Sequence, residues 1–158
     1  MQIKELTDAQ ELASARDLIA RTFELSEAVD YGSEGRRSFY SLLDKAVCLA
    51  GVFPGSFIFY GLIYSNLAAV CVCTEAHISM LFVDSAYQRQ GCGRALIQYV
   101  RSRLSAQGFK KFTVYAAPQA ADFYRKLGFR DMSGVLCRDG IKYIAMEAMT
   151  EIPPSAEP

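Results

Sequence analysis

Residues 83–96 read Val83-Asp84-Ser85-Ala86-Tyr87-Gln88-Arg89-Gln90-Gly91-Cys92-Gly93-Arg94-Ala95-Leu96, and this stretch decides the fold. An apolar, β-prone segment precedes it, and from Gly91 onward the apolar residues recur with helical spacing. The pattern predicts a strand, a polar turn and a helix that begins at a Gly-x-Gly sequence. The first N–H groups of a helix have no partner within it, and glycines let an anion approach them closely. We interpret the stretch as an anion-binding turn. The alternative is a plain strand–turn–helix junction with two helix-start glycines.

Two common phosphate-binding motifs do not fit this turn. A P-loop has Lys and then Ser or Thr after its second glycine, whereas Arg94 and Ala95 follow Gly93. A dinucleotide-binding fingerprint has a third glycine three residues after the second, and the sequence has Leu96 there. The turn by itself therefore leaves the anion unidentified.

The rest of the chain predicts an α/β fold. Thr7 and Gln10 resemble a capping box before a first helix, a loop of mixed charge follows over 24–37, and a second helix spans 39–49 until Pro54-Gly55. Further helices follow Gly91, with a stop at Gly108, and span 119–127. Strands are predicted at 3–6, 57–63, 67–73, 77–83, 112–116, 129–132 and 141–149. This order indicates a mixed sheet of about seven strands.

Composition and charge exclude several classes of protein. The 158 residues contain 17 Lys plus Arg and 17 Asp plus Glu, so the formal net charge is zero. Proteins that bind nucleic acid or anionic membranes are usually basic, so we expect neither as a partner. The length and the 51% hydrophobic content predict one domain over residues 1–150. The composition of residues 151–158 predicts a disordered tail.

The N-terminal sequence and the cysteines bear on the cellular compartment, and the single histidine bears on metal binding. The N-terminal residues lack the layout of a signal peptide, and Gly, Pro and polar residues interrupt the most apolar stretch, 47–72. The cysteines are irregularly spaced and odd in number: Cys48, Cys71, Cys73, Cys92 and Cys137. We therefore predict a cytoplasmic protein with reduced core cysteines and no metal site. In a strand, Cys71 and Cys73 would point to the same face.

A family resemblance extends the interpretation of the turn. Gln88-Arg89-Gln90-Gly91-Cys92-Gly93 matches the Gln/Arg-x-x-Gly-x-Gly/Ala signature of the GNAT superfamily, the acyl-CoA-dependent N-acetyltransferases. Ala117-Pro118 and Phe123-Tyr124-Arg125-Lys126-Leu127-Gly128-Phe129 resemble the family's FYxKLGF segment, and residues 77–84 resemble the strand that enters its pyrophosphate loop. The resemblance implies a three-layer fold, in which about four helices flank a sheet of about seven strands whose central parallel strands splay apart.

The resemblance implies that acetyl-CoA binds between the splayed strands, here 78–83 and 112–116. Its pantetheine would bond to backbone groups near Leu81, Phe82 and Val83, like a short added strand. The pyrophosphate would be held by the backbone N–H groups of Arg89, Gln90, Gly91, Cys92, Gly93 and Arg94, with Gln88 shaping the turn. The family transfers its acyl group directly, so Cys92 is interpreted as a small loop residue and not as a nucleophile. Many relatives have an Asn that contacts pantetheine where this sequence has Tyr115, which puts that side-chain contact in question.

The resemblance also implies catalytic residues. Tyr124 matches a family tyrosine whose hydroxyl often faces the cofactor sulfur, and a phenol can donate a proton or hydrogen bond to a departing thiolate. A buried aromatic residue beside Phe123 is the alternative role for Tyr124. Several relatives place a glutamate base where this sequence has His77. Because an imidazole accepts a proton near neutral pH, His77 is the candidate base, with Glu75 or water as alternatives.

The predicted function is an N-acetyltransferase that transfers an acetyl group from acetyl-CoA to a primary amine of a small molecule or peptide. The acceptor is expected over residues 24–40 and 63–67, where acidic residues and Arg36-Arg37 leave both cationic and acidic substrates open. Tyr31, Phe39 and Tyr40 either line that pocket or pack in the core. A non-catalytic acyl-CoA-binding or sensor domain, and a structural domain with a vestigial loop, are the alternatives. Many relatives dimerise, so a homodimer is also an open expectation.

Overall fold

The computed structural model describes residues 1–49 and 55–152. The strands are β1 (Gln2–Glu5), β2 (Ser56–Ile63), β3 (Asn66–Thr74), β4 (His77–Val83), β5 (Lys111–Ala116), β6 (Arg130–Arg138) and β7 (Ile141–Met149). The helices are α1 (Ala9–Ser26), α2 (Ser33–Leu49), α3 (Cys92–Ala106) and α4 (Ala121–Lys126), and short 3₁₀ helices at Ala28–Asp30, Ser85–Tyr87 and Pro118–Ala120 precede the last three. The predicted order of elements is confirmed.

The strands form one mixed sheet in the order β1-β2-β3-β4-β5-β7-β6. Its neighbouring strands are antiparallel except for the central pair, β4 and β5, which is parallel. Within the described chain, β4 and β5 pair only through His77 with Thr113 and Ile78 with Val114, and then they separate. The predicted α/β fold with splayed central parallel strands is confirmed.

Two hydrophobic cores cover the two faces of the sheet. Cys71 and Cys73 of β3 point into the core beneath α3 and α4, as predicted for residues two apart in a strand. Val70 and Val72 point into the opposite core, beneath α1 and α2. Helices on both faces of one sheet produce the three layers.

A bulge in β4 changes the face to which its residues point. The register with β3 shifts between Val72, opposite Met80, and Cys73, opposite Ile78, so Ser79 is the extra residue. Ile78 lies in the α3-side core and Met80 in the α1-side core, although an unbroken strand would point both the same way. The bulge therefore lies where β4 begins to leave β5.

Several helix limits differ from the prediction. The cap of α1 is Asp8, whose side chain accepts the N–H of Glu11 at 2.8 Å, and not Thr7. The predicted loop over 24–37 is largely helical, because α1 continues to Ser26 and α2 begins at Ser33. The helix predicted over 119–127 is a 3₁₀ turn followed by the short α4.

Two further predictions need correction. The strand predicted at 129–132 continues to Arg138, where it forms a hairpin with β7. Cys48 and Cys137 are exposed and not in the core, whereas Cys71, Cys73 and Cys92 are buried, and these cysteines are free.

Two predicted features lie outside the described residues: the stop at Pro54 and the tail beyond Ile152. In residues 1–49 and 55–152, no helix combines the length and the apolar character needed to cross a membrane.

Candidate functional site

The separation of β4 from β5 opens a cleft in the middle of the sheet. A cavity of about 130 Å³, here called the inner cavity, lies in this cleft. It is lined by Glu27, Tyr31, Phe39, Leu42, Ser79, Met80, Leu81, Phe82, Val114, Ala120, Tyr124 and Ile141. Beyond Ile78, no residue of β4 in the described chain pairs with β5. The edge of β4 that carries Leu81 and Phe82 can therefore accept an extended ligand in place of a strand.

The turn between β4 and α3 is shaped by its own side chains. Gln88 donates its amide to the backbone oxygen of Val83 at 3.0 Å, and Gln90 donates to the oxygen of Ala86, also at 3.0 Å. Arg89 and Gly91 have positive φ angles of 60° and 84°. These bonds hold the turn in a compact shape at the end of β4.

The helix α3 begins without a side-chain cap. Gly91 occupies the N-cap position in the left-handed conformation, and no side chain in the described chain bonds to the first-turn N–H groups there. Those N–H groups and the positive end of the helix dipole attract an anion. A Cβ added to Gly91 would meet no described atom within 4 Å, so the space above the turn is open to a ligand.

Gly93 has a packing role. A Cβ added there would lie 3.1 Å from the ring of Phe123 and 3.6 Å from Val83. Cys92, beside it, is buried as the first residue of α3, which suits a small side chain. Arg94 points its side chain into a separate pocket of about 380 Å³, which Lys126 also lines.

Tyr124 lies on α4 and lines the inner cavity while its ring is packed. It is 5% exposed, and its ring makes edge contacts with Phe123 and Phe129. Burial raises the pKa of Tyr124 well above that of an ordinary phenol. The hydroxyl therefore stays protonated. Among the residues described, none forms a hydrogen bond with it.

His77 begins β4 at the rim of the cleft. Its Nδ1 shares a hydrogen bond of 2.7 Å with the hydroxyl of Thr113, and its ring lies 4.6 Å from that of Tyr115. Burial lowers the pKa of His77, so the imidazole is neutral near pH 7 and able to accept a proton. The alternative Glu75 is exposed in the turn before β4 and lines none of the cavities described.

Glu27 is a functional candidate that the sequence did not single out as a base. It follows α1 and lines the inner cavity together with Tyr124. The pKa of Glu27 is raised above its usual value, because the effect of burial exceeds that of the hydrogen bond of 3.4 Å from the Tyr31 hydroxyl, which acts in the opposite direction. The sequence placed it only in a solvated acidic loop, because no local pattern brings the end of α1 beside α4.

A larger pocket of about 640 Å³, here called the outer pocket, is adjacent to the inner cavity. The two share Leu42, Ser79 and Ile141. The other residues that line the outer pocket are Arg37, Ser38, Ser41, His77, Tyr115, Arg138, Asp139 and Tyr143. Tyr115 is 58% exposed and forms a wall of this pocket. An acceptor passing through the outer pocket would meet His77 on its way to Tyr124.

The predicted acceptor region is only partly at this cleft. Tyr31 and Phe39 line the inner cavity, whereas Tyr40 donates its hydroxyl to Glu24, which is also paired with Arg36. The turn at residues 63–67 lies elsewhere, because Asn66 and Leu67 line a separate groove with Arg21 and Asp84. The expectation that this turn faces the acceptor is therefore not supported.

No group of three or more His, Cys, Asp or Glu side chains in the described ranges is arranged to hold a metal ion.

Comparison with known proteins identifies the family. A family model described as an acetyltransferase (GNAT) domain matches residues 27–150. The chain therefore belongs to the GNAT acetyltransferase family.

Solved structures of the same fold agree with this assignment. A GCN5-related N-acetyltransferase from Rhodopseudomonas palustris has a TM-score of 0.79 over 94% of both chains, at 20% identity. The PaiA N-acetyltransferase from Thermoplasma acidophilum, solved in complex with coenzyme A, has a TM-score of 0.71 over 94% of this chain and 99% of its own, at 18% identity. At these identities the likeness shows the shared fold.

Curated relatives match over a shorter stretch. A Bacillus subtilis (strain 168) protein described as an acetyltransferase is 29% identical over 69 residues, which are 44% of this chain and 47% of that protein. A histone acetyltransferase of Glycine max is 39% identical over 62 residues, which are 39% of this chain and 27% of that protein. The matched stretch thus spans less than half the length of either relative.

Proposed function

We propose that this protein is an N-acetyltransferase that transfers the acetyl group of acetyl-CoA directly to a primary amine. The observation that carries the proposal is the arrangement of three parts of the chain. The unpaired edge of β4 leads through one turn to the uncapped start of α3, and Leu81 and Phe82 of that edge line the inner cavity together with Tyr124. These parts suit an anion, an extended amide chain and a reacting thioester in turn.

Binding would use the backbone more than side chains. The N–H groups from Arg89 to Arg94 would hold the pyrophosphate at the helix start, where the dipole favours negative charge. The pantetheine amides would bond to β4 near Leu81, Phe82 and Val83 in the manner of an added strand. Such a site depends on geometry, so a net charge of zero does not weaken it.

Acetyl-CoA supplies a thioester whose carbonyl carbon the amine attacks, and the C–S bond breaks as the C–N bond forms. An ordinary thiol has a pKa of about 8.5, below the pKa of a phenol. Because burial raises the pKa of Tyr124 further, complete transfer of its proton to the sulfur is unfavourable. Tyr124 therefore donates a hydrogen bond to the developing thiolate, and the neutralising proton comes from the amine.

Two side chains are placed to take the proton that the amine must lose. His77 lies in the outer pocket and is neutral, and Glu27 lies in the inner cavity near Tyr124. Glu75 is the weaker candidate because it is exposed and lines neither cavity. Transfer of the proton through a water molecule to one of these groups is the remaining route.

The first test is thermal melting with excess acetyl-CoA, with adenosine 3′-phosphate 5′-diphosphate as the control that keeps the pyrophosphate and lacks pantetheine. A ligand at 100 times its Kd stabilises a protein by about 2.7 kcal/mol, which is a readily measured shift. We expect a clear shift with acetyl-CoA and a smaller one with the control. No shift at saturating acetyl-CoA would contradict the proposal.

The second test is release of free CoA on addition of amines. The transferase requires amine-dependent release, whereas a sensor domain would bind acetyl-CoA and release none. Binding without release from any amine would therefore favour the sensor over the enzyme.

A further inference from the structure

The outer pocket contains two arginines without carboxylate partners. Arg37 of α2 and Arg138 at the end of β6 both line it, and both are exposed. Within the described residues neither forms an ion pair. Six arginines are paired with carboxylates: Arg16, Arg21, Arg36, Arg103, Arg125 and Arg130. The other described arginines without an ion pair, Arg89, Arg94 and Arg101, do not line the outer pocket. The two arginines of the outer pocket are thus available for an anion from solution.

A close contact fixes the two elements that carry these arginines. The hydroxyl of Ser38 donates a hydrogen bond of 2.7 Å to the backbone oxygen of Asp139. A Cβ on Gly35 would lie 2.4 Å from the oxygen of Gly140, so α2 and the β6–β7 turn are packed backbone to backbone. Asp139 and Gly140 have φ angles of 52° and 76°, the conformation of a tight hairpin turn. The backbones that carry Arg37 and Arg138 are therefore fixed relative to each other.

The charge of the outer pocket is positive on balance. Its charged side chains are Arg37, Arg138 and Asp139, which makes two positive charges against one negative charge. His77 adds no charge near pH 7, because burial lowers its pKa. The other titratable groups that line the outer pocket are the phenols of Tyr115 and Tyr143. Guanidinium groups bind carboxylates through two parallel hydrogen bonds, which makes a carboxylate the natural partner here.

Part of the remaining wall of the outer pocket is apolar. The rings of Tyr115 and Tyr143 lie 4.8 Å apart, and Leu42 and Ile141 continue the wall into the inner cavity. A ligand that bonds to the arginines would place an apolar group on this wall. Its other end would point toward Ser79, which the two cavities share.

We propose that the acceptor is an amine that also carries a carboxylate, such as an amino acid with an apolar side chain, held by Arg37 and Arg138. The inference rests on the proposed function, because it names the class of amine that the same cleft acetylates. It favours an acidic or zwitterionic acceptor over a polycationic one.

The test compares each amino acid with its carboxamide, in which a neutral amide replaces the carboxylate and the amine is less basic. CoA release is measured with phenylalanine, leucine and methionine, each against its carboxamide, in the wild type and in Arg37→Gln/Arg138→Gln. We expect at least one amino acid to exceed its amide about tenfold in kcat/KM through a lower KM. The double variant should lose that preference and keep its turnover of the amide. Arg130→Gln, which removes one positive charge from β6 outside the outer pocket, should keep the preference.

A binding measurement keeps the inference separate from the proposed function. Calorimetry on the CoA-bound protein compares the N-acetyl derivatives of the three amino acids with those of their amides. Suppose that binding depends on the carboxylate and is abolished in Arg37→Gln/Arg138→Gln, but no amine causes CoA release. This result would contradict the proposed transferase activity and still support the carboxylate site. Equal binding and equal turnover of every acid and its amide would overturn the inference, as would a preference that survives in the double variant.

Discussion

At the scale of single residues, Tyr124 combines a packed ring with a hydroxyl that has no partner in the described chain. Tyr124→Phe should therefore leave the melting temperature and the affinity for acetyl-CoA nearly unchanged. Loss of a hydrogen bond to a developing thiolate should lower kcat about 10- to 100-fold. Steady-state kinetics with a fixed amine and a binding titration measure the two effects.

The matched control for this variant is Tyr99→Phe. The ring of Tyr99 lies on α3 and packs edge-on against Phe59, and Tyr99 lines neither the inner cavity nor the outer pocket. It should show wild-type kinetics. If Tyr124→Phe also turns over at the wild-type rate, Tyr124 only packs.

The base is best identified from the acid side of the pH profile. A base acts when deprotonated, so kcat/KM should fall as the pH drops through its pKa. Burial lowers the pKa of His77 below its usual value and raises the pKa of Glu27 above its usual value. The two shifts bring the pKa values of His77 and Glu27 toward each other, so the position of the fall does not tell them apart and the variants must separate them.

His77→Gln and Glu27→Gln therefore serve as a pair. The variant that lowers kcat/KM and removes the fall at low pH identifies the base. Glu75→Gln is the control and should leave the profile unchanged. A normal fall in both variants would exclude both side chains and leave water as the acceptor of the proton.

The ionised form of Glu27 should also lower the free energy of unfolding. Because its pKa in the folded protein is raised, the folded state binds the proton more tightly than the unfolded state. Stability should therefore fall as the pH rises from the usual glutamate pKa through the raised one. Above that window the buried charge, which lies near Asp30, opposes folding. Glu27→Gln should raise the melting temperature at pH 7, and a lower value would contradict the assigned cost of burial.

At the scale of elements, α3 offers an internal comparison between its two ends. Gly91 precedes the helix and Gly108 follows it, with φ angles of 84° and 89°. An added Cβ meets no described atom within 4 Å at either position. A side chain at each site should therefore cost about the same backbone strain, roughly 1–2 kcal/mol.

Only the first of these glycines lies at the proposed phosphate site. Gly91→Leu should weaken acetyl-CoA binding about tenfold or more, because its side chain occupies the space above the N–H groups. Gly108→Leu should lose similar stability and keep its affinity. Equal affinities in the two variants, measured by calorimetry, would argue against the turn as the phosphate site.

At the scale of the whole molecule, the weak junction between β4 and β5 should respond to the ligand. Backbone amides of β4 from Met80 to Val83 are expected to exchange hydrogen more slowly with acetyl-CoA bound, because pantetheine bonds to them. Adenosine 3′-phosphate 5′-diphosphate should protect the turn before α3 and leave these amides unchanged. Protection of β4 by both ligands would point to general stabilisation instead.

Sequence patterns predicted most of the fold. Strands β4 and β7 begin and end where the sequence places them, because each is a β-prone run between turn residues. The start of α2 was missed because Ser33, Gly35 and a mixed-charge run are typical of loops. Gly35 is needed there because the β6–β7 turn approaches it, which is a tertiary contact that no local pattern reveals.

The site was predicted unevenly for the same reason. The turn before α3 is indicated by its residue types and spacing, whereas Tyr124 was singled out only because its segment resembles a family motif. Glu27 and Arg138 are distant in sequence from Tyr124 and His77, and only the folded sheet brings them to the cleft. Neither has a local signal that could have separated it from a solvated surface residue.

The two pairings between β4 and β5 have a consequence for how the molecule holds together. On one side of that junction lie β1 to β4, and on the other lie β5, β7 and β6. A ligand bonded along β4 would stand where the missing strand pairs would be, and so would join two half-sheets. Affinity for that ligand and the stability of the junction would then be thermodynamically linked. A substitution that destabilises the β4–β5 junction would weaken ligand binding, and bound ligand would raise the free energy of unfolding.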